Sequence, residues 1–289
     1  MQLIDTSITQ AELIRTESER IMEYFDSLSP EDLEKPSPCE RWTVGEVIAH
    51  LVWHVGTYRG MMERGLRDDI SPTERLPSVP AGTPNRQVIV DDSYGQAAID
   101  RRHSLERELI SSFTKEYGKL NTLLAGVVPE DWSKPCYHVA GLRTVESFLT
   151  TYLMELAIHE RDIRSTREHS PIVSEEIMPL LMGRIPGKLG RPWSISFPDM
   201  TDAAGPVIYR FELSGVGAAD LDVVVEENKA RAETAGTAPA NLSASCDTDT
   251  FVLLMYGRFS LESAAAAGRM TEEGNQDLMT GFDQWLAGH

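Results

Sequence analysis

Residues 36–51 read PSPCERWTVGEVIAHL, and this stretch fixes where a helix begins. Thr43 is followed three positions later by Glu46, which is the spacing of a capping box, in which each side chain hydrogen-bonds the backbone N–H of the other residue. Apolar residues then recur at helical spacing to about Arg64. The stretch therefore predicts a helix from Thr43 to about Arg64 that carries His50.

Three other segments repeat apolar residues every three to four positions, which is the period of an α-helix. They run from about Thr9 to Leu28, from Gln96 to Ala125 and from Thr144 to Arg164. Between Gly65 and Tyr94 the chain collects prolines and glycines among polar residues, which predicts a long loop. Four helices with one long middle connection predict a helical bundle.

A short motif occurs twice in the chain. Residues 30–36 read PEDLEKP and residues 129–135 read PEDWSKP, and a Thr-Val pair follows each copy, at Thr43 and at Thr144. An internal repeat of this kind predicts two halves with similar local structure. We therefore expect the helices that begin at the two threonines to start in the same way.

The repeat places four metal-binding side chains near one level of the bundle. Counted from the two threonines, His50 lies level with Thr151 and His54 lies level with Glu155. Glu155 and His159 are four residues apart on a helix, so they project from the same face. An unpaired carboxylate is costly in an apolar helix unless it is protonated, hydrogen-bonded or metal-bound. One histidine from the second helix, His50 or His54, would complete three ligands and leave an open position for water or substrate.

Two simpler interpretations stay open at this point. A glutamate followed four residues later by a histidine is common by chance, and a buried histidine such as His50 more often bonds a backbone carbonyl than a metal ion. The spacing alone therefore does not favour a metal site, and the spacing together with the repeat leaves the metal site and the simpler interpretations about equally supported.

The stretch at 36–51, together with LMELAIHERDIR at residues 153–164, resembles the DinB-like metal-binding bundles. Within them it resembles the mycothiol-dependent maleylpyruvate isomerase family. The resemblance covers roughly residues 8–166.

The resemblance implies a ligand set and a cosubstrate. In that family the matching positions bind a divalent metal ion, and they fall on His50, Glu155 and His159 here. Zinc is the first expectation, with nickel, iron or manganese as alternatives, and mycothiol is the implied cosubstrate. His54 is then extra, either a catalytic group that supports a ligand or carries a proton, or a plain core or surface histidine.

The implied chemistry begins with a thiol whose pKa is lowered by a metal ion, so that it can attack a small electrophile at neutral pH. In an isomerase the thiol adds to a conjugated cis double bond and leaves after rotation, whereas in an S-transferase it stays attached. The sequence does not separate these reactions. Because the cosubstrate supplies the thiol in this family, Cys39 and Cys136 are expected to be packing residues. The alternative function is a non-catalytic protein that binds a small molecule or a lipid.

Beyond about Ser170 the apolar pattern changes from helical to alternating. The elements predicted there are a β-hairpin, a third strand and a helix: Val207–Gly215, Ala219–Glu227, Ala240–Asp247 and Thr271–Leu286. We therefore expect a DinB-like four-helix bundle over residues 1–168 and a small α+β domain over residues 169–289.

Residues 248–282 resemble the C-terminal domain of the same isomerase family, which is similar to sterol-carrier-like folds. Two Gly-Arg pairs in this stretch supply Arg258 and Arg269. An acidic protein needs such cations to bind an anionic substrate or a sugar-bearing thiol. We expect Arg258 to contact the reacting substrate and both arginines to bind the cosubstrate. The alternative is that both are surface arginines that offset nearby acids.

Composition argues against several other classes of protein. The 289 residues include 45 acidic and 27 basic side chains, and the formal net charge of -18 repels nucleic acid and anionic membranes. No apolar run reaches the roughly 20 residues of a membrane span, and the first residues lack the pattern of a secretory signal. The three cysteines share no CxxC spacing, which suggests neither disulfides nor a cysteine-rich zinc site. We expect a cytoplasmic monomer or homodimer with small-molecule partners.

Overall fold

The computed structural model describes residues 2–39, 42–72, 93–138, 141–189, 205–226 and 229–286. The chain divides into two compact units, Met1–Pro171 and Ile172–His289. The first unit ends at residue 171, whereas the sequence predicted a domain end at residue 168.

The first unit is helical. Its α-helices within the described residues are α1 Gln2–Asp26, α2 Pro30–Leu33, α3 Val44–Leu66, α4 Ser93–Leu105, α5 Leu109–Ala125 and α6 Val145–Arg164. Helices α1, α3, α5 and α6 pack against one another as a four-helix bundle, and α4 packs against α3. This arrangement confirms the predicted helical bundle.

The bundle core is formed by apolar side chains at helical spacing on the inward faces of its four long helices, as the periodicity predicts. Its fully buried members include Ile14, Ile21, Phe25, Val47, Leu51, Val55, Phe113, Leu120, Leu149, Leu153 and Leu156.

The predicted capping box is present at the start of α3. The Thr43 hydroxyl accepts the backbone N–H of Glu46, and the Glu46 carboxylate accepts the backbone N–H of Thr43 at 2.6 Å. Thr144 precedes α6 with the same extended backbone but without a side-chain cap hydrogen bond. The two helices therefore start alike in their backbone and differ in their caps.

The two copies of the repeated motif fold alike. Pro36 pairs with Thr43 in an antiparallel bridge, and Pro135 pairs with Thr144 in the same way. In both copies the residue after the threonine donates its backbone N–H to the carbonyl of the motif's lysine, at 2.9 Å in the first and 3.1 Å in the second. The second copy forms the short strands β1 Pro135–Cys136 and β2 Arg143–Thr144. Each copy thus turns the chain back immediately before a long helix.

Two predicted helices differ from those observed. The prediction of one helix from Gln96 to Ala125 is wrong, because a 3₁₀ turn at Glu106–Glu108 separates α4 from α5. Glu106 has a φ of 44°, a left-handed conformation that a right-handed helix cannot contain. The first helix begins at Gln2 rather than near Thr9. Of the predicted loop between α3 and α4, residues 73–92 lie outside the described residues.

The second unit is an α+β fold with a five-stranded sheet. Its strands are β3 Val207–Ser214, β4 Leu221–Glu226, β5 Lys229–Thr234, β6 Leu242–Asp247 and β7 Met270–Gly274, in the order β5-β4-β3-β6-β7. Strands β3 and β6 are parallel, and the other neighbours are antiparallel. The predicted hairpin is β3 with β4, and the predicted third strand is β6.

Helices complete the second unit. They are α7 Met178–Leu189, α8 Thr248–Met255, α9 Leu261–Ala266 and α10 Asp277–Leu286. Aromatic contacts join them to the sheet, since Phe211 lies 4.8 Å from Phe251 and Tyr209 lies 5.0 Å from Phe282, measured between ring centroids. These contacts contribute to an apolar core formed by residues of the second unit.

The predicted helix Thr271–Leu286 is wrong in its first half. Residues Met270–Gly274 form β7, which pairs with β6 from Cys246↔Met270 to Leu242↔Gly274, and only Asp277–Leu286 is helical. The short polar segment carries no apolar period of its own, so its strand conformation comes from backbone pairing with a neighbour that is distant in sequence. Throughout the described residues, no helix combines the length and the apolar character that crossing a membrane requires.

Candidate metal centre

Helices α3 and α6 bring three metal-binding side chains together. Nε2 of His50 lies 3.1 Å from Oε2 of Glu155, and Nε2 of His159 lies 3.2 Å from the same oxygen. One ligand atom from each residue falls within 4.8 Å of those of the other two. These are the three residues that the family resemblance implied as ligands.

The cluster is mostly buried and contains an ionised carboxylate. The side chains of His50, Glu155 and His159 are 14%, 15% and 11% exposed. Burial raises the pKa of the Glu155 carboxyl, but the neighbouring imidazoles of His54, His159 and His50 outweigh it and hold that pKa well below its ordinary value. A buried carboxylate flanked by two imidazoles is a nitrogen and oxygen donor set that suits a divalent cation.

His54 lies near the other oxygen of the Glu155 carboxylate, Oε1. Its Nε2 lies 3.9 Å from Oε1 of Glu155, which is too long for a hydrogen bond, and among the described residues neither ring nitrogen has a hydrogen-bond partner. His54 is 2% exposed, and burial lowers its pKa to about 4, so its imidazole is neutral at pH 7. His54 therefore lies beside the cluster, 3.9 Å from its carboxylate, and is not one of the three side chains whose candidate ligand atoms converge.

Behind His159, helix α6 supplies a fully buried carboxylate. Oδ2 of Asp162 lies 3.2 Å from Nδ1 of His159 and accepts a hydrogen bond from the Cys39 thiol at 3.1 Å. Burial lowers the pKa of His159, but the neighbouring Cys39, Asp162 and Glu155 raise it well above its ordinary value. A carboxylate on Nδ1 fixes the orientation of the ring, so that Nε2 faces Glu155.

Asp162 and Cys39 lie at the cluster, although the sequence analysis assigned neither of them a role there: Asp162 was expected at most to pair with an arginine, and Cys39 to be a packing residue. Asp162 follows His159 by three positions, so the helical period was the signal that could have found it. The expectation that Cys39 is a packing residue omits its hydrogen bond to Asp162 and its distance of 3.6 Å from Nδ1 of His159. Cys136, in contrast, is fully buried, makes no contact with the cluster and lies against Gly65 of α3, as expected of a packing residue.

Trp42 covers one side of the two histidines of the cluster. Its ring centroid lies 5.0 Å from that of His50 and 6.4 Å from that of His159. Its indole N–H donates to the carbonyl of Gly95 at 3.2 Å, which fixes the ring in place. The tryptophan immediately before the helix cap thus excludes water from one side of the cluster.

The two arginines predicted to bind substrate or cosubstrate both lie in the second unit. Arg258 donates from Nη1 to the carbonyl of Tyr256 at 2.8 Å. Arg269 forms an ion pair with Asp249 at 2.8 Å and donates to the Thr250 hydroxyl at 3.0 Å. Arg269 is therefore engaged by side chains of its own unit, and the predicted roles of both arginines stay predictions.

The fold and the cluster together define a class of protein, a helical bundle with a candidate metal centre followed in the chain by a small α+β unit. The family described as the mycothiol maleylpyruvate isomerase N-terminal domain matches residues 14–164, which is more than half of the chain. The chain belongs to this mycothiol-dependent maleylpyruvate isomerase family.

Two crystal structures of the isomerase agree with this assignment at the level of the fold. The crystal structure of the mycothiol-dependent maleylpyruvate isomerase is 14% identical and superposes with a TM-score of 0.58, covering 89% of this chain and 90% of that one. A point mutant of the isomerase gives 13% identity, a TM-score of 0.60 and coverage of 93% and 92%. Sterol carrier protein-2 like-3 from Aedes aegypti is 20% identical over 36% of this chain and 91% of its own, with a TM-score of 0.26. No curated protein sequence matches the chain significantly.

Proposed function

We propose that this chain is a metal-dependent enzyme that uses mycothiol, or a similar low-molecular-weight thiol, to isomerise a small electrophilic substrate or to transfer the thiol to it. The observation that carries the proposal is the convergence of His50 and His159 on one oxygen of Glu155, at 3.1 and 3.2 Å. Membership of an isomerase family supports the thiol and the isomerisation. The protein is proposed to act in the cytoplasm as a monomer or homodimer.

The residues fit a divalent ion. Two imidazole nitrogens and one carboxylate oxygen from α3 and α6 lie within 4.8 Å of one another, and the carboxylate is ionised although it is mostly buried. Three such ligands leave a position for a substrate atom, and the donor set suits zinc first, with nickel, iron or manganese as alternatives. When bound there, the ion would lower the pKa of the thiol of the cosubstrate.

Three further side chains would hold this arrangement in place. Asp162 orients the ring of His159 through Nδ1, and Trp42 excludes water beside His50 and His159. His54 would support the Oε1 side of Glu155, because its buried neutral imidazole lies 3.9 Å from that oxygen and has no competing hydrogen bond within the described residues. We therefore propose a positioning role for His54 rather than a role as a ligand.

The acceptor substrate would need a cationic or hydrogen-bonding contact. Arg258 and Arg269 remain our candidates for the substrate and for the sugar-bearing thiol.

The decisive experiment combines metal content with thiol chemistry. Purified protein, freed of any affinity-tag ligand, is analysed by elemental mass spectrometry, loaded with zinc and incubated with mycothiol and a panel of electrophiles. Mass spectrometry detects a thiol adduct if the protein is an S-transferase, and chromatography detects an isomer without an adduct if it is an isomerase. Loss of turnover when mycothiol is omitted would show that the thiol takes part.

The matched variants are His159→Ala and His103→Ala. His103 is an exposed histidine at the end of α4 and serves as the control. We expect His159→Ala to lose most bound metal and nearly all turnover, because two remaining ligands hold a divalent ion poorly, and His103→Ala to keep both. Undiminished metal in His159→Ala would refute the site. A metal-free protein that binds apolar ligands and leaves every electrophile unchanged would favour the non-catalytic binding protein instead.

A further inference from the structure

We propose that the bundle carries a second binding site, for a small organic oxyanion, between α3, α4 and α5. A cavity of about 620 Å³ opens there, which is within the range of about 300–1,000 Å³ that holds small-molecule ligands. None of its lining residues belongs to the His50, Glu155 and His159 group. The proposal therefore does not depend on the proposed function of the metal centre.

The lining of the cavity is strongly cationic. Arg59 from α3, Arg101 from α4, and Lys115 and Lys119 from α5 line it, against the single carboxylate of Glu116. The whole chain has only 27 basic residues against 45 acidic ones. Cations in excess of the nearby carboxylates repel one another, and an oxyanion bound among them would relieve that repulsion.

The cations divide into a fixed pair and a pair without acidic partners. Arg59 pairs with Glu63 and Glu116, and Lys119 also pairs with Glu116. Arg101 and Lys115 form no ion pair with any side chain in the part of the chain that the structure describes. One carboxylate thus holds two cations in place, and two others face the cavity uncompensated.

The rest of the lining suggests what kind of molecule the cations would hold. Val52, Trp53 and Leu105 supply apolar surface, and Thr57 and Ser112 supply hydroxyl groups. An apolar or aromatic body can lie against the first set while its carboxylate or phosphate meets the cations.

A neighbouring cavity of about 510 Å³ shares Arg59, Lys115 and Lys119 with the first. It adds no further cation, and Glu63, the partner of Arg59, joins its lining. The cationic lining is therefore concentrated at the first cavity, beside α5.

The test is calorimetric titration of the full-length protein with phenyl phosphate, benzoate and the neutral benzyl alcohol. We expect at least one of the two anions to bind with one-to-one stoichiometry and at least tenfold more tightly than the alcohol. Added salt should weaken that binding, because the site is partly open to solvent. Preference for phenyl phosphate would identify a phosphate-bearing ligand, and preference for benzoate a carboxylate.

Matched variants locate the binding. Arg101→Gln combined with Lys115→Gln removes the two uncompensated charges and should weaken binding of the anion at least tenfold. The control combines Arg107→Gln and Lys229→Gln, two exposed cations outside the cavity, and should bind as the unmodified protein does. His50→Ala should also leave the affinity unchanged, which separates this site from the metal centre.

Each of four results would overturn the proposal. They are the absence of binding by both anions, equal affinity for benzyl alcohol, unchanged affinity in the Arg101 and Lys115 variant, and an equal loss in the control or in His50→Ala. Circular dichroism of each variant shows whether it is folded. The Lys115→Gln single variant changes only an exposed side chain, so weaker binding in this variant would not result from unfolding.

Discussion

Replacement of Asp162 should weaken metal binding although its carboxylate is not one of the three ligands that we propose. Its Oδ2 lies 3.2 Å from Nδ1 of His159, while Nε2 of the same ring faces Glu155. Asp162→Asn keeps the volume and one acceptor oxygen but removes the negative charge. Asp162→Ala removes the acceptor as well, and leaves the His159 ring and the Cys39 thiol without their buried partner.

The magnitude follows from the role of such carboxylates. Loss of a partner that orients a ligand histidine reduces metal affinity about 10- to 100-fold, or about 1.4 to 2.7 kcal/mol. We expect Asp162→Asn to lie near the lower end, because an amide oxygen still accepts the Nδ1 hydrogen bond. Asp162→Ala should lie near the upper end and should also destabilise the fold by about 1–3 kcal/mol, since buried donors lose their acceptor.

The assay is competition for zinc with a chromophoric chelator, together with the thermal midpoint of each variant. Asp222→Asn is the control, because Asp222 is also buried and accepts a hydrogen bond from Arg210 at 2.8 Å, but lies in the second unit. It should lower the thermal midpoint and leave the zinc affinity unchanged. If Asp162→Asn kept its zinc affinity within about twofold while its thermal midpoint fell like that of the control, Asp162 would be a structural residue only, and the reasoning would be refuted.

Three further predictions concern the first unit and the buried thiols. His54→Asn should keep its bound metal, with a loss of affinity below about tenfold in the chelator assay, because it removes a support and not a ligand; a loss like that of a ligand variant would make it a fourth ligand. Gly65→Ala should lower the free energy of unfolding in urea by about 1–3 kcal/mol, since its new Cβ would lie 2.7 Å from a backbone oxygen and against the Cys136 sulfur. Gly60→Ala on the same helix meets nothing within 4 Å and should raise it by about 0.5–1 kcal/mol, and the reverse order would contradict the packing. Burial raises the pKa of Cys136 to about 11 and that of Cys246 to about 12, so both stay protonated at pH 8 and should react slowly with iodoacetamide in the folded protein, as measured by mass spectrometry.

The sequence predicted the elements that carry their own local signals. The capping box of Thr43 and Glu46 marked the start of α3, and the apolar period marked the bundle helices. The break at Glu106 and the strand Met270–Gly274 carried no such signal. The break is a left-handed backbone conformation at a glutamate, and no glycine or proline marks it in the sequence. The strand is stabilised by pairing with β6, which is distant in sequence.

Helical spacing and family resemblance together predicted part of the candidate site. They led to His50, Glu155 and His159, which the structure brings together. The thiol of Cys39 could not be placed in this way, because it lies in the turn before α3 and reaches α6 only through the tertiary packing of the bundle. The distance of 3.9 Å between Nε2 of His54 and Oε1 of Glu155 likewise could not be predicted, because it depends on how α3 and α6 pack against each other.

The duplicated turn before α3 and α6 has a consequence for how the two helices contribute to the cluster. His54 lies eleven residues after Thr43, and Glu155 lies eleven residues after Thr144, and their side chains approach to 3.9 Å. Positions at equal depth after two turns that fold alike therefore face each other between α3 and α6. The side chains at the other matching depths differ, since His50 corresponds to Thr151 and Tyr58 corresponds to His159. The two helices thus begin alike and meet at one level, but each contributes different side chains to it.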